Sequence, residues 1–179
     1  MEFKTNRLLL RQARIEDREA LLTYCLDPRV RQYEAESLNE AQVIQYLDWT
    51  VQTQYHQPRD FYYFTVVYQK DGVDTVVGSV HISIRSRENS QAELGFLFGV
   101  SYWNKGYASE AVQRLLTFCF KELRIHRLYS EVISDDLASI FVLEQLSFRR
   151  EAVMRHNRFF RNRWWDSYLY ALLGHEWRE

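Results

Sequence analysis

Glycine, proline and cysteine are scarce in this sequence, with six, two and two residues among 179. Cys25 and Cys119 lie far apart among apolar neighbours, which excludes a disulfide scaffold and a cysteine-based metal site and fits a reducing compartment. No apolar run reaches the roughly 18 residues that a membrane-spanning helix needs, and the N-terminus carries no signal-peptide pattern. We therefore expect a cytoplasmic protein that holds no metal and contacts no membrane.

Net charge is also nearly absent, because 23 Lys and Arg residues balance 24 Asp and Glu residues. No overall field attracts nucleic acid, so such a partner would need a local basic patch. Apolar residues make up 46% of the chain and aromatic residues 16%, which excludes disordered and low-complexity classes. The length predicts a single domain over residues 1–179, active as a monomer or a homodimer.

Hydrophobic periodicity predicts a mixed α+β fold. Asp71-Gly72 is a strong hairpin signal, and a capping box places a helix start at Ser37 with Glu40. The sheet should have six or seven strands, antiparallel early and locally parallel beside the strongest helix, with about four helices around it. The predicted strands cover 7–11, 61–69, 75–84, 91–100, 128–133, 149–160 and 164–172, and the other helices cover 15–26, 107–123 and 137–146.

The segment from Trp103 to Ala111 carries the most specific signal. A strand leads through a short loop into a helix whose first amides lack intrahelical partners, and such a helix start can hold a phosphate. Gly106 lets the backbone approach an anion closely, and Lys105 adds a positive charge. The alternative is that Gly106 only permits the turn.

This segment, Trp-Asn-Lys-Gly-Tyr-Ala-Ser-Glu-Ala over residues 103–111, resembles the Trp-Gly-Lys-Gly-Tyr-Ala-Thr-Glu-Ala signature of the GNAT acyl-CoA-dependent N-acyltransferases. The resemblance is to the branch that includes the Rim-type ribosomal-protein N-terminal acetyltransferases. Residues 5–11 resemble that branch's opening Thr-x-Arg-Leu-x-Leu-Arg. Further matches follow in order at 78–79, 92–95, 138–144, 148–151 and 164–173.

The resemblance implies a GNAT fold in which two central strands splay apart. Acetyl-CoA would be the co-substrate, with its pyrophosphate on the loop before the long helix and its pantetheine arm along a central strand. The residues that the resemblance assigns to cofactor binding are Phe96, Leu97, Phe98, Asn104, Lys105, Gly106, Tyr107, Ala108 and Asp136.

The resemblance also implies that a neutral primary amine attacks the thioester directly in a ternary complex. Glu93 matches a strand glutamate that acts as base in some relatives, and Ser139 matches a serine near the departing thiolate. Two alternatives stay open: an ion pair of Glu93 with Arg85, and a local helix-start bond for Ser139. The acceptor is a protein N-terminus or a small-molecule amine, between which the sequence does not choose.

Three departures from the family pattern favour an alternative function, a catalytically weak acyl-CoA-binding module. Asp136 replaces Asn, Leu143 replaces a Tyr that serves as thiolate acid, and Ser147 replaces a helix-ending Gly. Six arginines and four aromatic residues in 149–165 suggest another alternative, docking to RNA or the ribosome, against a plain strand pair with its arginines outside. His81 either lines the acceptor pocket or is an ordinary sheet residue.

Overall fold

The structure, a computed structural model, describes residues 1–35 and 37–178. The described residues form one eight-stranded sheet with the order β1-β2-β3-β4-β5-β6-β8-β7. Its strands are β1 (Glu2–Lys4), β2 (Leu8–Gln12), β3 (Phe61–Lys70), β4 (Val73–Ser86), β5 (Gln91–Phe98), β6 (Arg127–Ile133), β7 (Arg149–Phe160) and β8 (Arg163–Leu173). The α-helices are α1 (Arg18–Cys25), α2 (Glu40–Thr53), α3 (Tyr107–Thr117) and α4 (Leu137–Gln145).

The predicted fold class and the predicted mixture of strand directions are confirmed. Strands β1 to β5 pair antiparallel with their neighbours, whereas β5 and β6 pair parallel because α3 carries the chain back across the sheet. The strand count is eight rather than six or seven. The additional strand, β1, has three residues, too few for alternation to be read from the sequence.

The sheet is covered on both faces. The apolar side of α3 packs its buried Ala111, Val112 and Leu115 against the core of one face. Helices α1 and α2 cover the other face through a second cluster that includes Leu21 and Leu47. A cavity that is open to both faces must therefore run through a gap between two strands of the sheet.

Three helix boundaries differ from the prediction. The N-cap of α2 is Asn39, not Ser37, because Asn39 and Gln42 exchange side-chain to backbone hydrogen bonds of 2.9 and 3.0 Å. Residues Ile15–Asp17 form a 3₁₀ turn before α1. Helix α3 ends at Thr117 and continues as a π-helical segment, Phe118–Glu122, which the apolar repeat cannot distinguish from α-helix over so few residues.

The predicted turn at Asp71-Gly72 and a second hairpin turn, at Arg161-Asn162, adopt left-handed backbone. Asp71 and Gly72 have φ of 53° and 78° between β3 and β4, and Arg161 and Asn162 have φ of 51° and 57° between β7 and β8. Among the described helices, none has the combination of length and apolar character that crossing a membrane demands.

Candidate active site

Strands β5 and β6 diverge after a short stretch of pairing. They pair only from Gln91 with Arg127 to Glu93 with Tyr129. The Ser90 carbonyl accepts from the Arg127 amide at 3.2 Å, so the backbone groups of even-numbered residues on β5 face β6. Beyond the paired stretch, the C=O group of Leu94 and the N–H and C=O groups of Phe96 consequently face a gap in the sheet.

A cavity of about 1190 Å³ occupies this gap and reaches both faces of the sheet. On the α3 face it is lined by Asn104, Gly106 and Ser139, and on the α2 face by Tyr46 and Tyr63, among others. One space thus connects the start of α3 with an aromatic wall on the opposite side.

The loop before α3 holds the geometry of an anion site. Asn104 and Gly106 have φ of 57° and 76°, so both adopt the left-handed conformation. Gly106 is the N-cap of α3, and no side chain caps the helix. The amides of the first turn therefore point from the positive end of the helix dipole toward the cavity mouth.

An ion pair from the N-terminal segment fixes this loop. Arg7 donates from Nη1 to the Lys105 carbonyl at 2.9 Å and from Nε to Glu110 at 2.7 Å, while the Thr5 hydroxyl donates to Glu110 at 2.6 Å. The pKa of Glu110 is held below its ordinary value because these bonds outweigh burial, which acts in the opposite direction. This role of Thr5, Arg7 and Glu110 was missed in the sequence, although all three lie in the matched motifs.

Comparison with known proteins matches residues 7–149 to the family model described as "Acetyltransferase (GNAT) domain". The chain belongs to the GNAT acetyltransferase family. The N-acetyltransferase p20 of Bacillus licheniformis is 31% identical over 181 residues, which cover 97% of this chain and 96% of that protein. A GNAT-family acetyltransferase structure from Bacillus anthracis is 30% identical, with coverage of 98% and 100% and a TM-score of 0.84.

Two more distant solved structures share the fold. The ribosomal-protein-S5-alanine acetyltransferase from Vibrio fischeri is 20% identical, with 100% of both chains covered and a TM-score of 0.84. The spermidine N-acetyltransferase from Vibrio cholerae, in complex with CoA and spermine, is 17% identical, with coverage of 96% and 98% and a TM-score of 0.82. The family model and the relatives at 30% identity or more, not these two structures, confirm the resemblance read from the motifs: this protein is a GNAT-type N-acetyltransferase.

Most of the residues that the GNAT resemblance assigns to the cofactor line the cavity: Phe96, Leu97, Phe98, Asn104, Gly106, Tyr107, Ala108 and Asp136. Lys105 does not line it, and its ammonium lies 5.6 Å from the centre of the Tyr102 ring. The Phe98 carbonyl accepts from the Trp103 indole at 2.7 Å, which occupies that carbonyl beside the gap.

Glu93 lies on the cavity wall and forms the ion pair that the sequence offered as its alternative role. Its Oε2 lies 2.8 Å from Arg85 Nε and 2.7 Å from Arg85 Nη2. About a third of the Glu93 side chain remains exposed, at 33%. The carboxylate is therefore both paired and accessible from the cavity, so the geometry leaves the base role open.

Asp136 and Ser139 form the start of α4. Asp136 is the N-cap, and its Oδ1 accepts from the Ser139 amide at 3.1 Å, which satisfies one free amide and favours a carboxylate there. The Ser139 side chain lines the cavity. At the other end of α4, Ser147 adopts a φ of 66°, the left-handed geometry that glycine adopts most freely.

His81 belongs to the aromatic wall of the cavity. Its ring lies 5.4 Å from Phe61 and stacks at 6.3 Å and 9° with Tyr63. A Cβ at Gly95 would collide with the imidazole, so only glycine fits opposite it. Burial, with a smaller effect of the Arg85 charge, lowers the pKa of His81 to about 4, and the imidazole is neutral at pH 7.

A polar network around Glu131 was not anticipated. A bulge between Met154 and Arg158 in β7 brings Asn157 and Arg158 to Glu131 Oε1 at 3.2 and 2.8 Å, and Ser167 donates to the same oxygen at 3.0 Å. These bonds hold the pKa of Glu131 below its ordinary value although burial raises it. In the sequence, the signal for this network was Glu131 itself, a charged residue directly before the apolar Val132 and Ile133 of β6.

The arginines of the C-terminal hairpin are exposed, and most of them contact other groups of the protein. Five of the six predicted as a nucleic-acid patch contact other groups: Arg149 with Glu176, Arg150 with Tyr168, Arg158 with Glu131, Arg161 with the Arg31 carbonyl, and Arg163 with Asp135 and Trp165. Acids or rings contact four of these charges, whereas Phe159 and Trp164 of the same hairpin are each 56% exposed, so the strand pair has its arginines and two of its four rings outside.

Proposed function

We propose that this protein transfers the acetyl group of acetyl-CoA to a primary amine, by direct attack within a ternary complex. The observation that carries the proposal is the single cavity that joins the uncapped start of α3 to the open edge of β5 and to the aromatic wall. A cofactor and an acceptor can therefore meet from opposite faces of the sheet. The same proposal treats residues 1–179 as one domain that acts in the cytoplasm.

The residues around the gap fit acetyl-CoA. The left-handed loop and the amides that open α3 suit a diphosphate, and Gly106 permits close approach of the backbone. The Leu94 carbonyl and the Phe96 amide and carbonyl lie beyond the pairing of β5 with β6 and suit the amides of an extended arm. When bound, the co-substrate supplies an electrophilic thioester carbonyl.

Glu93 and Ser139 are the groups that we assign to proton transfer. Glu93 takes a proton from the acceptor amine, directly or through one water, and the Ser139 hydroxyl donates to the departing thiolate. An α-amine with a pKa of about 8 is partly neutral at pH 7, whereas a lysine amine with a pKa of about 10.4 is almost fully charged. A smaller fraction of an α-amine must therefore be deprotonated by the base before it can attack the thioester.

Direct transfer also agrees with the cysteine in the cavity wall. Cys25 lines the cavity, but it is buried and its burial raises the pKa of the thiol to about 11. Because the thiolate is the nucleophile, Cys25 is a poor candidate for an acyl-enzyme intermediate at neutral pH.

The alternative is an acyl-CoA-binding module with little turnover, which the Arg85 ion pair on Glu93 favours. Two measurements separate the two functions. Acetyl-CoA at 100 times its Kd should raise the free energy of unfolding by about 2.7 kcal/mol in a thermal-shift titration. A panel of amines should then release free thiol from acetyl-CoA. Binding without thiol release on any amine would support the binding module, and absence of binding would contradict both functions.

A further inference from the structure

Arg31 lies at the acceptor mouth of the cavity, in the segment between α1 and α2. Its backbone is fixed by three hydrogen bonds: its amide donates to the Asp27 carbonyl at 3.2 Å, and its own carbonyl accepts from the Glu34 amide at 3.1 Å and from Arg161 at 3.0 Å. The edge-on contact of Tyr33 with Trp165, at 5.9 Å, ties the same segment to the C-terminal hairpin. The position of the Arg31 backbone at the cavity mouth is thus set before any ligand arrives.

Arg31 is one of the residues that line the cavity. Its Nε is buried and has no hydrogen-bond partner among the described residues. Its positive charge lowers the pKa of Cys25 and of Tyr46, against the stronger opposite effect of burial. Because both residues line the cavity, these effects place the charge beside the cavity wall.

The other arginines that line the cavity already have carboxylate partners. Arg29 pairs with Asp27 at 2.6 Å, and Arg158 pairs with Glu131 at 2.8 Å. Within the described part of the chain, Arg31 has no such pair. The carboxylate of Glu34 is near the same region, since its charge raises the pKa of Cys25 and of Tyr46. A half-buried cation with an unsatisfied donor is unfavourable alone and is stabilised by an anion that accepts from it.

We propose that Arg31 binds the acidic group of a small acceptor amine, a carboxylate or a phosphate, and so directs the amine toward the gap between β5 and β6. This inference rests on the proposed acetyl transfer and narrows its acceptor to amines that carry an anion. It opposes a polyamine acceptor, whose additional positive charges Arg31 would repel.

Pairs of acceptors that differ only in the acidic group test the inference. An amino acid is compared with its carboxamide, and an aminoalkyl phosphate with the corresponding amino alcohol, which also separates the two kinds of anion. The wild-type protein should favour an acidic member by roughly 10- to 100-fold in kcat/KM. Arg31→Gln should remove this preference with little effect on the neutral member, and Arg31→Lys should retain part of it. Arg29→Gln, the matched control, should leave the preference unchanged.

A binding measurement keeps the inference independent of turnover. With CoA present, the acidic amine should raise the Tm of the wild-type protein and of Arg29→Gln, but not of Arg31→Gln. Equal rates and equal Tm shifts for acidic and neutral amines, or a preference for a polyamine, would overturn the assignment of Arg31. Transfer of acetyl to neutral amines but not to acidic amines would contradict the proposed anion binding by Arg31, and it would still support acetyl transfer as the function. A Tm shift by the acidic amine without transfer would support Arg31 and count against acetyl transfer.

Discussion

At the scale of single residues, Glu93 combines two roles that need opposite behaviour. The pair with Arg85 at 2.7 Å uses the carboxylate as a fixed partner between β4 and β5, whereas a base must be free to accept a proton during the reaction. Replacing either Glu93 or Arg85 removes the ion pair, but only replacing Glu93 also removes the carboxylate. Comparing the two variants therefore separates the role in the ion pair from the role as a base.

We therefore predict different effects of Glu93→Gln and Arg85→Gln on acetyl transfer. Glu93→Gln should lower kcat by roughly 100-fold or more, because it removes general base catalysis, and Arg85→Gln should lower it far less. Steady-state kinetics with one amine at several pH values measure both. Equal losses in the two variants would show that Glu93 only supports the sheet.

Ser139 carries a second prediction at this scale. Ser139→Ala should lower kcat by roughly 100-fold and leave the Kd for acetyl-CoA unchanged, because only protonation of the departing thiolate is lost. Ser139→Thr keeps a hydroxyl and should recover part of the rate. Thiol release and a binding titration measure the two quantities, and an unchanged kcat in the alanine variant would exclude Ser139 as the acid.

At the scale of elements, the loop before α3 depends on a backbone conformation that glycine adopts freely. Gly106 and Gly72 have nearly the same φ, 76° and 78°, but Gly106 opens α3 beside the cavity, and Gly72 lies in the turn between β3 and β4. A Cβ at Gly106 would lie 3.4 Å from Arg7, an ordinary contact, and a Cβ at Gly72 would meet nothing within 4 Å. The two glycines therefore have similar backbone strain, and they differ in that Gly106 lines the cavity and Gly72 does not.

Gly106→Ala and Gly72→Ala should each cost about 1 kcal/mol of stability through the left-handed backbone. Only Gly106→Ala should weaken acetyl-CoA binding, by about tenfold if relaxing the loop costs about 1.4 kcal/mol. Urea unfolding and a binding titration on both variants measure this. Similar affinities in the two variants would argue that the α3 start does not hold the co-substrate.

At the scale of the whole molecule, buried titratable groups link stability to pH. The pKa of His81 falls from the ordinary 6.5 to about 4 on folding, so the unfolded chain binds a proton that the folded protein excludes. Stability from this residue is present above about pH 6.5 and is lost as the pH falls toward 4. Asp17, whose pKa Arg11 and the Arg14 amide hold below its ordinary value despite burial, contributes stability that is lost only at more acidic pH.

We predict that the free energy of unfolding falls by about 3 kcal/mol between pH 7 and pH 4 on account of His81. Urea unfolding at pH 7, 5.5 and 4.5 measures the decrease. His81→Gln should flatten it, and His175→Gln, at an exposed histidine, should leave it in place. If the free energy of unfolding falls equally with pH in both variants, groups other than His81 cause the acid sensitivity.

The elements of this fold and the segment at Gly106 followed from the sequence, because helix periodicity, strand alternation and turn residues depend on neighbours a few positions apart. The family followed from motifs for the same reason. The tertiary structure alone decided the gap beyond Glu93, the clamp of Arg7 on Glu110, the network at Glu131 and the place of Arg31 beside the cavity without a carboxylate partner among the described residues. Each of these depends on chain segments that are distant in sequence, and local patterns carry no information about which distant groups meet or which are left without a partner.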